Sequence, residues 1–146
     1  MRFSVIIPAY NEEQYLPRLL ESIEVARANY SGGPEQVEVI VADNDSTDAT
    51  AEVAALHGAR VVTVAKRRIA AARNGGARMA RGEILCFIDA DSAIHPQTFD
   101  EVDRAMKTGR YVCVTYNGRD GVRYPGPIAH MVCLIHFDDR WAMGPG

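Results

Sequence analysis

Two aspartates, Asp89 and Asp91, stand on either side of Ala90 directly after the apolar run 84–88. Carboxylates this close repel each other, so the arrangement is unfavourable unless a positive charge neutralises it. Carboxylate oxygens are the ligands that Mg²⁺ and Mn²⁺ prefer, and two of them suit an ion that also binds the phosphates of a ligand. The structural alternative is that Asp91 and Ser92 cap the next helix, or that Asp89 shapes a turn. The pair indicates a candidate cation site.

Two further side chains could bind a nucleoside. Asp43 ends an apolar run and could accept a hydrogen bond from a base N–H or a ribose hydroxyl; the alternative is an Asx-turn with Asp45 and Ser46. Tyr10 could stack on a base, although a tyrosine at the end of a strand is more often half-buried. Asp48 has the simpler interpretation of a helix N-cap.

Positive charge is concentrated in one segment. Seven cations and no acidic residue stand between positions 60 and 82: Arg60, Lys66, Arg67, Arg68, Arg73, Arg78 and Arg81. The segment could meet an anionic ligand, or it could be a solvated helix face. The whole chain has a net charge of −3, which is unlike the basic footprint of nucleic-acid-binding proteins, so we expect no nucleic acid as partner.

The pattern of apolar residues predicts strands that alternate with helices. Predicted strands cover 3–8, 37–42, 61–64, 84–88 and 111–116, and predicted helices cover 16–23, 48–56, 69–81, a segment from Pro96 to about 108, and part of 128–137. This alternation predicts one α/β domain over residues 1–146, with an open, mostly parallel sheet and helices on both faces. Ligands of such sheets bind outside the carboxyl ends of the strands, where the polar loops of this chain converge.

The cysteines and the termini suggest a reducing compartment. Cys86, Cys113 and Cys133 stand singly among apolar neighbours, which predicts neither disulfides nor a zinc site. No signal-peptide pattern and no apolar run of 18 residues is present, so we expect a cytoplasmic protein, with peripheral membrane contact left open.

Four segments in this order resemble glycosyltransferase family 2, whose members share the nucleotide-diphospho-sugar transferase fold called GT-A, a Rossmann-like fold. They are residues 4–13 (SVIIPAYNEE), 38–48 (EVIVADNDSTD), 69–76 (IAAARNGG) and 82–92 (GEILCFIDADS). The first loop lacks the glycine-rich patterns of dinucleotide-binding and P-loop proteins. It is equally unlike the glycine- and arginine-rich loop of nucleotidyltransferases built on a similar sheet.

The resemblance implies a site and a reaction. The residues that would bind the nucleotide are Pro8, Ala9, Tyr10, Glu12, Asp43, Arg68 and Asp89. Asp89 and Asp91 would be the two acids of the family's D-x-D motif, with Asp91 the direct ligand of Mn²⁺ or Mg²⁺ and Asp89 supporting the ribose or the metal shell. The donor would be a UDP-, GDP- or dTDP-linked sugar, transferred with inversion to an unknown acceptor.

The region beyond the D-x-D strand is where the resemblance places the catalytic base, and here the base stays unassigned. Five acids are candidates without a recognisable motif: Glu101, Asp103, Asp120, Asp138 and Asp139. We predict a donor-binding core in residues 1–116, followed over 117–146 by the start of the acceptor region or an irregular tail. The alternative function is therefore a nucleotide-sugar-binding domain without transfer activity. An incomplete sheet would also favour self-association.

Overall fold

The computed structural model describes residues 1–107 and the backbone strand 131–134. Its sheet contains five strands, all parallel: β1 (Phe3–Ala9), β2 (Val37–Asp43), β3 (Arg60–Thr63), β4 (Ile84–Ile88) and β5 (Met131–Leu134). Their order across the sheet is β3-β2-β1-β4-β5. The helices are α1 (Leu16–Asn29), α2 (Thr50–Leu56), α3 (Ile69–Arg78) and α4 (Thr98–Lys107), with a short 3₁₀ turn at Pro34–Gln36.

Helices cover both faces of the sheet, which confirms the predicted α/β architecture. Alternate residues of β1 point to opposite faces, as in any strand. Phe3, Val5 and Ile7 belong to the buried cluster that also includes side chains of α1, α2 and α4. Ile6 faces α3 on the other side, where a Cβ added to Gly76 would lie 2.6 Å from the Ile6 Cγ2 atom. Glycine at this position therefore lets α3 lie close to the sheet.

The strand β5 corrects one prediction. We expected a helix within residues 128–137, but residues 131–134 form a strand that pairs in parallel with β4, from Leu85 opposite Met131 to Ile88 opposite Leu134. A short apolar run fits a buried strand as well as a buried helix, so periodicity alone could not distinguish them. Pairing satisfies backbone groups along the edge of β4 that would otherwise lack partners. The predicted strand 111–116 lies outside the described residues.

Boundaries of the other elements within residues 1–107 differ from the predictions by at most three residues, except that α1 ends at Asn29, six residues beyond the predicted helix 16–23. The strand predicted over 61–64 covers Arg60–Thr63, the helix predicted from 48 begins at Thr50, and the helix predicted to 81 ends at Arg78. None of the helices in the described ranges combines the length and the apolar character needed to cross a bilayer.

An ion-pair cluster holds the amino-terminal edge of the sheet. The Arg2 guanidinium donates to Asp103 Oδ1 from Nε (2.9 Å) and Nη2 (2.7 Å), and its Nη1 lies 2.6 Å from Glu83 Oε2. The Tyr30 hydroxyl donates to Asp103 Oδ2 at 3.1 Å. These contacts fix α1 and α4 against the starts of β1 and β4, at the edge opposite the carboxyl ends of the strands.

Candidate functional site

A cleft of about 300 Å³ opens at the carboxyl edge of the sheet, where β1 and β4 end side by side. Eleven residues line it: Pro8, Ala9, Tyr10, Glu12, Asn44, Ile69, Ala72, Arg73, Asp89, Ala90 and Asp91. Six of the eight predicted site residues are among them, because the loops after β1 and β4 leave the sheet next to each other. The cleft thus brings together an aromatic ring, a short apolar wall and several carboxylates.

The carboxylates of the D-x-D segment follow β4 directly. Ser92 donates its N–H to the Asp89 carbonyl at 3.1 Å, so the chain turns immediately after the strand. Asp91 is exposed, whereas the Asp89 side chain is 37% exposed and lies 3.3 Å from Arg73 Nη2. The helix α4 begins only at Thr98, so the alternative in which Asp91 and Ser92 cap the next helix is wrong.

Negative charge accumulates around Glu12. Burial raises the pKa of the Glu12 carboxyl above its ordinary value, and the negative charges of Asp91, Asp48 and Asp89 raise it further. A cation in the cleft would relieve this repulsion. Across the described ranges, no group of three or more His, Cys, Asp or Glu side chains is arranged to hold a metal ion. Asp89 and Asp91 offer hard oxygen ligands but too few of them, which fits Mn²⁺ or Mg²⁺ only where a ligand's phosphates complete the coordination.

Arg73 provides a positive charge within the cleft. Its Nη2 pairs with Asp89, and its Nε–H is buried without an acceptor in the described part of the chain. The side chain therefore retains a donor for an anionic ligand. Sequence reasoning counted Arg73 among the basic residues but missed its position; a helical repeat would have placed it on one face with Ile69 and Ala72, at i, i+3 and i+4.

Asn11 joins the loop after β1 to the loop after β2. Its backbone has a φ of 50°, in the left-handed region that asparagine tolerates better than most residues. Its side-chain Oδ1 accepts from the N–H of Thr47 (2.8 Å) and of Asp48 (3.3 Å). The next residue, Glu12, donates its N–H to Thr50 Oγ1 at 2.9 Å. These hydrogen bonds fix the loop that carries Tyr10 and Glu12 against the segment between β2 and α2.

Asp43, at the end of β2, and Asp48, just before α2, both accept hydrogen bonds from nearby backbone N–H groups. Asp43 is 6% exposed and its Oδ1 accepts the Ser46 N–H at 3.3 Å, as the Asx-turn alternative predicted. It is not among the residues that line the cleft. The Asp48 carboxylate accepts the N–H of Thr50, the first residue of α2, at 2.9 Å, but the N-cap of α2 is Ala49, so Asp48 lies one residue before the predicted capping position.

Asn44, which the sequence reasoning did not select, organises the loop between β3 and α3. Its N–H donates to the Ala9 carbonyl at 2.8 Å. With its amide oriented to satisfy both ends, it donates to the carbonyls of Lys66 (2.7 Å) and Val64 (3.1 Å) and accepts from the Arg68 N–H (3.1 Å). The predicted Arg68 side chain is exposed at the start of α3 and does not line the cleft.

Two of the acids considered as catalytic base lie in α4 and serve other contacts. Glu101 pairs with Arg104. Asp103 binds Arg2 and Tyr30 at the edge of the sheet opposite the cleft. Neither is therefore placed to act in the cleft. The other three candidates, Asp120, Asp138 and Asp139, lie outside the described residues.

Comparison with known proteins matches the sequence model of "Glycosyl transferase family 2" to residues 4–144. Dolichyl-phosphate beta-glucosyltransferase of Drosophila melanogaster is 39% identical over 117 residues, which are 73% of this chain and 36% of the fly protein. The match therefore spans about a third of the length of the fly protein.

The fold of this chain is similar to that of several solved transferase structures. TarS 1-349 from S. aureus in complex with UDP has a TM-score of 0.67 and 27% identity, over 82% of this chain and 38% of that one. Glucosyl-3-phosphoglycerate synthase from Mycobacterium tuberculosis in complex with Mn²⁺ and UDP-glucose has a TM-score of 0.60 and 27% identity, over 80% and 44%. These neighbours are GT-A transferases, so the predicted fold and the predicted resemblance are confirmed. The chain belongs to glycosyl transferase family 2.

Proposed function

We propose that the cleft binds the nucleoside diphosphate of a nucleotide-sugar donor, and that the chain takes part in transferring the sugar to an acceptor. The observation that carries this proposal is the meeting of Tyr10 with Asp89 and Asp91 in one cleft at the carboxyl edge of β1 and β4. An aromatic ring suits a base, and paired carboxylates suit a cation that binds a diphosphate. The UDP and UDP-glucose complexes of the structural neighbours support this assignment.

Each side chain has a role that follows from its position. Tyr10 is 41% exposed, and a base can stack on its ring beside Pro8 and Ala9. Asp43 ends β2 and Arg68 precedes α3, beside the cleft lining and not in it. We assign Asp43 to the base and Arg68 to the base or the diphosphate. Arg73, with its buried and unpaired Nε–H, adds a donor for a phosphate oxygen.

Asp91, supported by Asp89, would hold Mn²⁺ or Mg²⁺. When bound, such a cation neutralises charge on a departing nucleoside diphosphate. The Mn²⁺ in the mycobacterial neighbour supports a divalent ion. We propose inversion by a single displacement, in which an acceptor hydroxyl attacks the anomeric carbon and the bond to the diphosphate breaks. A base from outside the described residues would take the hydroxyl proton.

Calorimetric titration of UDP, GDP and dTDP, with and without Mn²⁺, tests donor binding. We expect one of the three nucleotides to bind more tightly with Mn²⁺ than without it. In the presence of Mn²⁺, Asp91→Asn should lower the affinity for this nucleotide at least about tenfold, as loss of groups around a metal does. Asp100→Asn is the matched control, because Asp100 is an acid of α4 that bonds Ser31 instead of lining the cleft. Binding that ignores both Mn²⁺ and Asp91→Asn would contradict the proposal.

Donor binding without transfer is the second candidate function. It is favoured by the positions of Glu101 and Asp103, the two candidate bases in the described residues, which pair with Arg104 and Arg2 instead of lining the cleft. Incubating the purified chain with each UDP-sugar and measuring free UDP separates the two. Release of UDP would exclude the second candidate.

A further inference from the structure

The guanidinium of Arg67 lies over the ring of Tyr10. Its Cζ atom is 5.1 Å from the ring centroid, within the range of a cation–π contact. The contact joins the loop after β1 to the loop before α3, at the mouth of the cleft that Tyr10 lines. One face of the ring is therefore covered, while the residue as a whole is 41% exposed.

The backbone around Arg67 is fixed on both sides. Arg68 donates its N–H to the Lys66 carbonyl at 2.7 Å, which makes a three-residue turn with Arg67 at its apex. The buried amide of Asn44 binds the same two residues, donating to the Lys66 carbonyl and accepting from the Arg68 N–H. Asn44 is itself bonded to Ala9, next to Tyr10. One buried residue thus binds the turn through its side chain and the residue before Tyr10 through its backbone N–H.

Within the described ranges, no ion pair joins Arg67 to a carboxylate, and its guanidinium lies against the Tyr10 ring. A cation on one face of an aromatic ring restricts the rotation of that ring. Stacking of a base needs the other face held in a constant plane, because ordering a loose side chain on binding costs affinity.

We propose that Arg67 is a positioning residue for the nucleobase of a nucleoside diphosphate: it holds the Tyr10 ring in the plane on which the base stacks. The proposal rests on the proposed function of the cleft. In this role Arg67 affects binding of the base, and its effect depends on the Tyr10 ring. A cation that contacted the diphosphate directly would contribute the same affinity whether or not the ring is present.

A double-mutant cycle tests this assignment. Affinity for the nucleoside diphosphate that wild type binds best, among UDP, GDP and dTDP in Mn²⁺, is measured by calorimetry. We expect Arg67→Gln to weaken binding about two- to fivefold, as an exposed cation–π contact does. The same factor is expected in a Tyr10→Phe background, which keeps the ring, and a factor close to one in a Tyr10→Leu background. Lys66→Gln, which removes a neighbouring charge, is the control and should leave affinity within about 1.5-fold of wild type.

The outcomes separate the two proposals. The role of Arg67 would be overturned if Arg67→Gln lowered nucleotide affinity by the same factor in all three backgrounds. It would also be overturned if Lys66→Gln lowered affinity as much as Arg67→Gln does. Either result would leave donor binding intact. If wild type binds none of the three nucleotides, the proposed function itself fails.

In the free protein, proton NMR of the Arg67 side chain should show an upfield ring-current shift in wild type and Tyr10→Phe that Tyr10→Leu abolishes. Identical Arg67 shifts in the three proteins would refute the contact.

Discussion

Asn11 is the residue whose replacement most directly tests how the cleft is built. It combines a φ of 50° with two accepted backbone hydrogen bonds from the loop after β2. Asn11→Ala loses both bonds, each worth about 0.5 kcal/mol at this exposed position. It also places a Cβ-bearing residue that lacks a polar side chain in the left-handed region, at roughly 1–2 kcal/mol. We expect the free energy of unfolding to fall by about 2–3 kcal/mol.

Two other substitutions separate these contributions. Asn11→Gly keeps the left-handed backbone without strain but loses the bonds, so we expect a loss of about 1–2 kcal/mol. Asn11→Asp keeps an acceptor and a tolerated conformation, with an expected loss below about 1 kcal/mol. Urea unfolding followed by circular dichroism measures all three. Asn29→Ala is the control, since Asn29 is also exposed and donates one side-chain bond, to Val25, but lies in α1.

The same variants should change nucleotide affinity in the same order. Tyr10 and Glu12 flank Asn11, so a loosened loop must be reordered on binding, at roughly 1–2 kcal/mol for each residue. We expect Asn11→Ala to weaken binding of the nucleoside diphosphate that wild type prefers at least about tenfold. If Asn11→Ala and Asn11→Gly are equally stable, the left-handed backbone is not the cause of the loss. If nucleotide affinity changes no more than in Asn29→Ala, the joining of the two loops does not shape the cleft.

Three further predictions concern the edge opposite the cleft. Although burial by itself raises the pKa of Asp103, hydrogen bonds from Arg2 and Tyr30 hold it below its ordinary value. The stability that Asp103 contributes is therefore present above its unfolded pKa and lost as pH falls through its folded pKa, and Asp103→Asn should flatten acid unfolding curves without changing affinity for the nucleoside diphosphate. Burial, and then the bond to Asp103, raise the pKa of Tyr30 to about 12, so absorbance at alkaline pH should show one tyrosine titrating there that Tyr30→Phe removes. Stability should correspondingly fall as pH rises from about 10 to 12; titration of all tyrosines near 10 would contradict this. A Cβ at Gly82 would lie 2.5 Å from the Ser4 backbone N, so Gly82→Ala should cost about 1–3 kcal/mol in urea unfolding, and a loss below about 0.5 kcal/mol would refute the close approach.

Local patterns were sufficient for the strands and helices that run from residue 3 to residue 107. The strand β4 is a continuous apolar run, and β1 and β2 are apolar apart from Ser4, Glu38 and the final Asp43, as expected where helices cover both faces. The helix α4 shows its stripe of Phe99 and Val102. The position of Asp89 and Asp91 followed from the same reasoning, because they come directly after such a run. Polar residues at the carboxyl ends of parallel strands must meet at one edge, whatever the order of the strands.

The strand 131–134 shows where local patterns failed. Its identity depends on pairing with β4, more than 40 positions earlier in the chain, and no window of apolar residues contains that information. Asn44 was missed for a similar reason. Its role depends on tertiary structure, because its backbone N–H binds Ala9 at the end of β1 while its side chain binds the loop after β3.

The sequence alone therefore established the family resemblance, the alternating α/β order and the carboxylates that a divalent cation would need, since these depend on residue type and short spacing. Tertiary structure decided which side chains share the cleft. It placed Arg73 beside Asp89 and Arg67 over Tyr10, while Asp43 and Arg68 stayed outside the lining. The physical reason is that such contacts depend on the order of the strands and the rotation of α3, which packing across the whole sheet determines.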